Sequence, residues 1–214
     1  MIRAAIFDMD GLLTDSEGVG LTVVKECGKK QGYDLDEQVI LKTIGTTGAA
    51  CRAVYRQYYP ALDGQRLFED FQEAMFALAR SGGIPLKKGA RELMEALRAR
   101  GIPMAVASSS SLETIDLYLG KAGVLPYFSA LVCGRGQMPS KPAPDIFLKA
   151  ARELNVPPQD CLVLEDSVNG IKAGRAAGMF VCMVPDLFPY TEALAPYCDA
   201  VKPDLAAVIP LLDA

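Results

Sequence analysis

Five short apolar runs, at residues 2–7, 102–107, 130–133, 161–164 and 179–184, constrain this chain more than any other feature. Turn residues bound each run, and none alternates polar with apolar as a half-wet strand would, so they read as parallel strands buried on both faces. Between them, residues 90–100, 112–122, 145–154 and 168–177 carry apolar side chains at helical spacing, with Gly101, Gly123 and Gly178 just past three of the ends. Repeated strand-helix alternation predicts an α/β fold with a doubly wound parallel sheet, Rossmann-like in its core.

Residues 16–82 break that rhythm. They hold no convincing strand and read as helices over 17–31, 36–42, 47–59 and 65–81, before Gly82-Gly83-Ile84-Pro85 returns the chain to its pattern. The expected division is a core of residues 1–15 and 83–214 with a helical insert of residues 16–82. An insert at the carboxyl end of a parallel strand lies where such sheets bind ligands, so it is expected to act as a cap.

Composition removes several classes of function. The 214 residues are 50% hydrophobic and 22% charged with a net charge of −4, and no Lys/Arg run is long enough to track nucleic acid. No apolar stretch approaches the ~20 residues of a membrane span, and no basic segment with an apolar run marks a signal peptide. The six cysteines are scattered without a Cys-x-x-Cys pair, as expected of free thiols in a reducing, cytoplasmic setting. There is no histidine, which leaves carboxylates, Lys, Ser, Thr, Cys and Tyr for any catalysis.

The stretch FDMDGLLTD, residues 7–15, places Asp8 and Asp10 at the end of the first run. Two carboxylates about 5 Å apart repel by roughly 3 kcal/mol at an effective dielectric of ~20. A hard divalent cation held by oxygens, Mg²⁺ above all, would offset this; on spacing alone the pair also reads as caps of the following turn. The second run closes in Ser108 to Ser111, whose hydroxyls suit phosphate oxygens, although a serine run before a helix is ordinarily an N-cap. Lys141, in SKPAPDIF, reads as a surface lysine or as one positive charge in the crevice. The fourth run ends in Glu165-Asp166-Ser167, acids again or capping residues. Together these strand ends offer a set suited to holding a metal-bound phosphoryl group.

In order and spacing, the pieces FDMDGLLTD, VASSS, SKPAPDIF and VLEDSVNGI resemble the four motifs of the haloacid dehalogenase-like hydrolases, over nearly the whole chain. The helical insert resembles the cap of the subgroup that contains β-phosphoglucomutase and many small-metabolite phosphatases. The resemblance implies that Asp8 is a nucleophile forming an aspartyl-phosphate. It makes Asp10 the acid/base that protonates the leaving oxygen and then activates water. It implies Mg²⁺ held by Asp8, the backbone carbonyl of Asp10 and Asp166, with Glu165 as a ligand or just behind one. Ser108, Ser109 and Lys141 would bind the transferring phosphoryl oxygens, and Asp15 would anchor a hinge through local amides.

Asp10 favours phosphoryl chemistry over dehalogenation, which needs no acid there. The cap histidine of β-phosphoglucomutase is missing, since the chain reads Glu17-Gly18-Val19-Gly20-Leu21. Lys42 is kept, Thr46-Thr47-Gly48 stand near the mutase arginine position, and Arg52 lies a turn further on. These departures favour hydrolysis over a mutase. Gly134-Arg135-Gly136-Gln137 departs from the acids that relatives carry before the third motif, and Arg135 is expected to be solvated. A phospho-accepting signalling module is disfavoured by the Asp-x-Asp pair and the insert. The expected enzyme is a Mg²⁺-dependent phosphatase, monomeric by the resemblance, acting on a sugar phosphate or nucleoside monophosphate and binding neither nucleic acid nor membrane.

Overall fold

A computed structural model describes residues 1–46, 48–134, 136 and 138–213. Strand β1 (Ala4–Phe7) leads into helices α1 (Ser16–Lys30), α2 (Glu37–Leu41), α3 (Gly48–Tyr58) and α4 (Gly64–Ser81). There follow α5 (Ala90–Ala99), β2 (Met104–Ser108), α6 (Leu112–Lys121), β3 (Ala130–Cys133), α7 (Asp145–Glu153), β4 (Cys161–Glu165), α8 (Val168–Ala176), β5 (Phe180–Met183) and β6 (Ala200–Val201). The chain divides into two compact units, Met1–Asp15 with Pro85–Ala214, and Ser16–Ile84.

In the first unit the strands form one parallel sheet in the order β3-β2-β1-β4-β5-β6. Every residue of β1, β2 and β4 is buried, which is why those runs show no polar alternation. Ala4 and Ile6 join Ala107, Val163 and Val181 in a core completed by Ile146, Phe147 and Ala150 of α7 and Ile171 and Ala173 of α8. The expected five strands are thus joined by a sixth. β6 pairs only Ala200 with Cys182 and Val201 with Met183, too short a segment to carry a pattern.

The sheet's order reverses at β1, with β2 and β3 on one side and β4 to β6 on the other. Such a switch point opens a crevice at the carboxyl ends of the strands, where α/β sheets take their ligands. Register sharpens the point. Phe7 pairs with Val106 of β2 and with Leu164 of β4, so the next residues along, Asp8, Ala107 and Glu165, stand level at that edge.

In the second unit, Val23, Val24 and Cys27 of α1 and Leu67, Met75 and Ala79 of α4 are buried. A Cβ on Gly20 of α1 would meet the Phe71 ring of α4 at 3.5 Å. Asp36 and Asp63 cap α2 and α4, accepting from Gln38 N at 2.8 Å and from Gln65 N and Arg66 N at 3.0 Å each. Lys42 Nζ donates to Tyr58 Oη at 2.5 Å. Thr47, expected to open the third helix, lies outside the described residues, as do Arg135 and Gln137. The second crossing between units falls between Ile84 and Pro85 rather than at Gly83, because Gly82 and Gly83 still donate to Leu78 and Ala79 and finish α4. Among the described residues no helix is long and apolar enough to cross a membrane.

Candidate active site

The turn after β1 explains why its motif alternates acid with apolar residues. Met9, Leu12 and Leu13 are buried in the core, while Asp8 and Asp10 are carried at the strand's carboxyl end. Gly11, at φ 79, takes the left-handed conformation that closes the turn. Leu13 N and Thr14 N donate to Met9 O at 2.9 and 3.0 Å, and Thr14 Oγ1 reaches the same carbonyl at 3.2 Å. Thr14 then bridges to Leu86, and Asp15 N donates to Pro85 O at 2.8 Å.

Lys141 is a buried lysine, not a surface one. Its side chain is 8% exposed and its Nζ donates to Asp8 Oδ1 at 2.5 Å, Glu165 Oε1 at 2.6 Å and Ala107 O at 3.2 Å. One ammonium thus ties together the ends of β1, β4 and β2 at the level the register sets, and it lies 4.9 Å from the centroid of the Phe147 ring. Burial alone would depress its pKa, but the charges of Asp8 and Glu165 hold it above the ordinary lysine value.

Glu165 is fully buried and bonded on both carboxylate oxygens. Oε1 takes Lys141, while Oε2 accepts from Asp166 N at 3.0 Å and from Ser167 N and Ser167 Oγ at 2.9 Å each. Ser167 is also the N-cap of α8, accepting from Gly170 N at 3.1 Å. Asp166, 3% exposed, stands beside it at the strand end. The capping reading of this stretch holds for Ser167.

The serine run divides in the same way. Ser108, fully buried, donates to Asp10 Oδ2 at 3.3 Å and accepts from Ser110 N at 3.0 Å. Ser110 Oγ donates to Asp10 Oδ2 at 2.7 Å. Ser109 is exposed, and Ser111 is the N-cap of α6, accepting from Thr114 N at 3.2 Å. Ser110 was not singled out from the sequence, because four identical neighbours carry no signal of which hydroxyl turns inward. Burial, then the charge of Asp10, pushes the Tyr118 phenol of α6 up to about 12.

Asp15 differs from expectation. Its carboxylate faces Lys87 at 3.4 Å rather than local amides, and Lys87 bonds Asp186 at 2.5 Å. The Thr14 to Leu86 bridge brings this lysine alongside, a contact across 72 residues that no local pattern announces.

Asp8 is 7% exposed, and burial pushes its carboxyl up to about 7, with Glu165 and Asp10 adding to the rise and Lys141 opposing it. The Lys141 ammonium bonds Asp8 and Glu165, and the same strand ends carry the carboxylates of Asp10 and Asp166, so the side chains gathered there offer hard oxygen donors. Hard oxygen donors of this kind fit a divalent cation of the Mg²⁺ class. Among the described residues no group of three or more His, Cys, Asp and Glu side chains is gathered as a chelate. The expected ligands include only two such side chains beyond Glu165, those of Asp8 and Asp166, the third ligand being the Asp10 carbonyl.

Comparison with known proteins follows the same lines. A family model described as haloacid dehalogenase-like hydrolase matches residues 2–178. The chain is 34% identical over 185 residues to the bifunctional riboflavin kinase/FMN phosphatase of Arabidopsis thaliana, a match covering 85% of this chain and 48% of that protein. It thus spans about half the length of that relative. It is 36% identical over 196 residues to a probable pseudouridine-5'-phosphatase of Drosophila melanogaster, covering 86% of this chain and 82% of the relative. Among solved structures, a haloacid dehalogenase family hydrolase of Deinococcus radiodurans with bound phosphate and sodium aligns with a TM-score of 0.82 at 29% identity, over 99% of this chain and 95% of that one.

Proposed function

The chain is an enzyme that belongs to the haloacid dehalogenase-like hydrolases, and from that membership we propose that it is a phosphatase of small phosphorylated metabolites, working through an aspartyl-phosphate on Asp8. The observation that carries the reading is the buried Asp8 carboxylate at the sheet's switch point, bonded to Lys141 with Asp10 two residues on. The names of two relatives, an FMN phosphatase and a probable pseudouridine-5'-phosphatase, support a primary alkyl phosphate of a nucleoside-like or sugar-like metabolite as substrate.

In the proposed reaction a carboxylate oxygen of Asp8 forms a bond to phosphorus as the bond to the ester oxygen breaks. The ester oxygen keeps the bonding electron pair and takes a proton from Asp10. Water then loses a proton to Asp10 and attacks the phosphorus of the aspartyl-phosphate, releasing inorganic phosphate and restoring Asp8. Lys141 holds Asp8 in place, and its longest contact, to Ala107 O at 3.2 Å, is the one that a phosphoryl oxygen takes over. Ser108 contributes its hydroxyl to the same oxygens. Asp8, the Asp10 carbonyl and Asp166 would hold Mg²⁺, which would supply positive charge against the repulsion between an anionic nucleophile and a phosphate dianion. Glu165 supports the site through Lys141 and the start of α8. The helical unit is proposed as the cap that selects the substrate.

The test is phosphate release from a panel of phosphate esters, including FMN, pseudouridine 5'-phosphate and β-glucose 1-phosphate, in Mg²⁺ and in EDTA. Mg²⁺-dependent release from a few related esters supports the proposal. Conversion of β-glucose 1-phosphate to glucose 6-phosphate with little free phosphate overturns it in favour of a phosphomutase, and Asp8→Asn turning over at the wild-type rate removes the covalent step.

A further inference from the structure

Asp10 is gripped from the loop after β2. Ser110 Oγ donates to Asp10 Oδ2 at 2.7 Å, Ser108 Oγ reaches the same oxygen at 3.3 Å, and Ser110 N donates to Ser108 Oγ at 3.0 Å, which closes a ring of hydrogen bonds. Resting on the reading of Asp10 as the acid/base, we propose that Ser110 is its positioning residue, the hydroxyl that fixes the rotation of the Asp10 carboxyl group for proton delivery to the leaving oxygen.

The other duties open to a serine here are taken by its neighbours. Ser111, not Ser110, caps α6, and Ser109 is the exposed member of the run. The Ser110 hydroxyl is committed to Asp10, and its amide to Ser108. The carboxyl torsion of an aspartate is broad and roughly two-fold, so the orientation of the half-buried Asp10 carboxyl group depends on the hydrogen bonds it accepts. The Ser110 hydroxyl, at 2.7 Å from one carboxylate oxygen, narrows that freedom, and proton transfer needs the donor within about 2.6–3.2 Å of its acceptor. When Asp10 gives up its proton to the ester oxygen, the Ser110 hydroxyl faces a full carboxylate. Such a charge-assisted bond is roughly twice as strong as a neutral one, so the contact strengthens along the reaction.

A leaving group's need for a proton separates this role from a structural one. An alkoxide departs poorly without protonation, whereas p-nitrophenolate departs without it. We expect Ser110→Ala to lower kcat/KM for glycerol 3-phosphate by about tenfold more than for p-nitrophenyl phosphate, within the range that general acid catalysis contributes. Ser110→Thr, which keeps the hydroxyl, is expected to restore the ratio, and thermal melting of each variant reports whether the fold has changed. Equal losses on both esters, no loss, or a gain on the alkyl ester would each overturn the positioning role. Asp10→Asn is the control. If it discriminates between the esters and Ser110→Ala does not, only the role of Ser110 fails; if Asp10→Asn does not discriminate, the acid/base reading fails and this inference with it.

Discussion

Gly170 makes room for Glu165. A Cβ built on this helical glycine would fall on the Glu165 carboxyl group, closer than 3.0 Å to its carbon and both oxygens, so the first turn of α8 passes the strand end in this arrangement only without a side chain. The carboxylate it accommodates is the one that holds Lys141 at 2.6 Å.

Alanine should therefore act oppositely at two helical glycines. At Gly120 of α6 nothing stands within 4 Å, and alanine there is expected to stabilise by about 0.5–1 kcal/mol through helix propensity. Gly170→Ala is expected to destabilise by about 1–3 kcal/mol through overpacking, and to lower turnover by displacing Lys141. Urea unfolding with assay of phosphate release checks both; a stabilising Gly170→Ala would mean that the carboxyl group moves aside at little cost.

Lys141→Met leaves two buried carboxylates without their cation. The expected loss is about 3–5 kcal/mol, the range for breaking a buried pair from one side. Adding Glu165→Gln should recover part of it, since one uncompensated charge is removed. A double-mutant cycle by denaturant titration reads this coupling, and strict additivity would contradict the shared site.

The Asp8 carboxyl makes the metal-free protein sensitive to pH. A carboxyl raised from 3.8 to about 7 binds more protons folded than unfolded, so its contribution to stability falls as pH rises through that window. In EDTA, the wild type should lose more Tm between pH 5 and pH 8 than Asp8→Asn does. Mg²⁺ favours the carboxylate and should shrink the difference. Equal slopes for the two proteins in EDTA would refute the assignment to Asp8.

The two aspartates of the first motif should separate function from metal binding. Asp8→Asn is expected to abolish turnover, and Asp10→Asn to suppress it by about 10²–10⁴-fold while keeping Mg²⁺ affinity, because Asp10 is proposed to reach the metal through its carbonyl. Calorimetric titration with Mg²⁺ beside a turnover assay tests this, and loss of metal binding in Asp10→Asn would count against the backbone ligand.

What could be read beforehand follows physical rules. Runs such as 161–164 were legible because a strand covered on both faces is apolar along its length, and α7 because Ile146, Phe147, Ala150 and Ala151 repeat with the helical period. The two-residue β6 offered no period at all. At the site, composition named the acids, but the partner of each acid is a long-range matter. Lys141 meets Asp8 across 133 residues, and Lys87 meets Asp186 across 99. Ser110 could not be told from Ser109 without the rotation of the chain between β2 and α6, since only the backbone decides which hydroxyl faces inward.

The contacts beside the crossings between units bear on inheritance as much as on stability. Asp15 N donates to Pro85 O, and Thr14 bridges to Leu86, so the departing and returning chains are neighbours within the sheet-bearing unit. A segment whose two ends are fastened side by side is a graft. It can be lengthened, shortened or rebuilt without moving a strand, because the separation its ends must span is set by the host and not by the insert. Such a joint lets the strand ends stay constant over evolutionary time while the inserted helices diverge at their own pace.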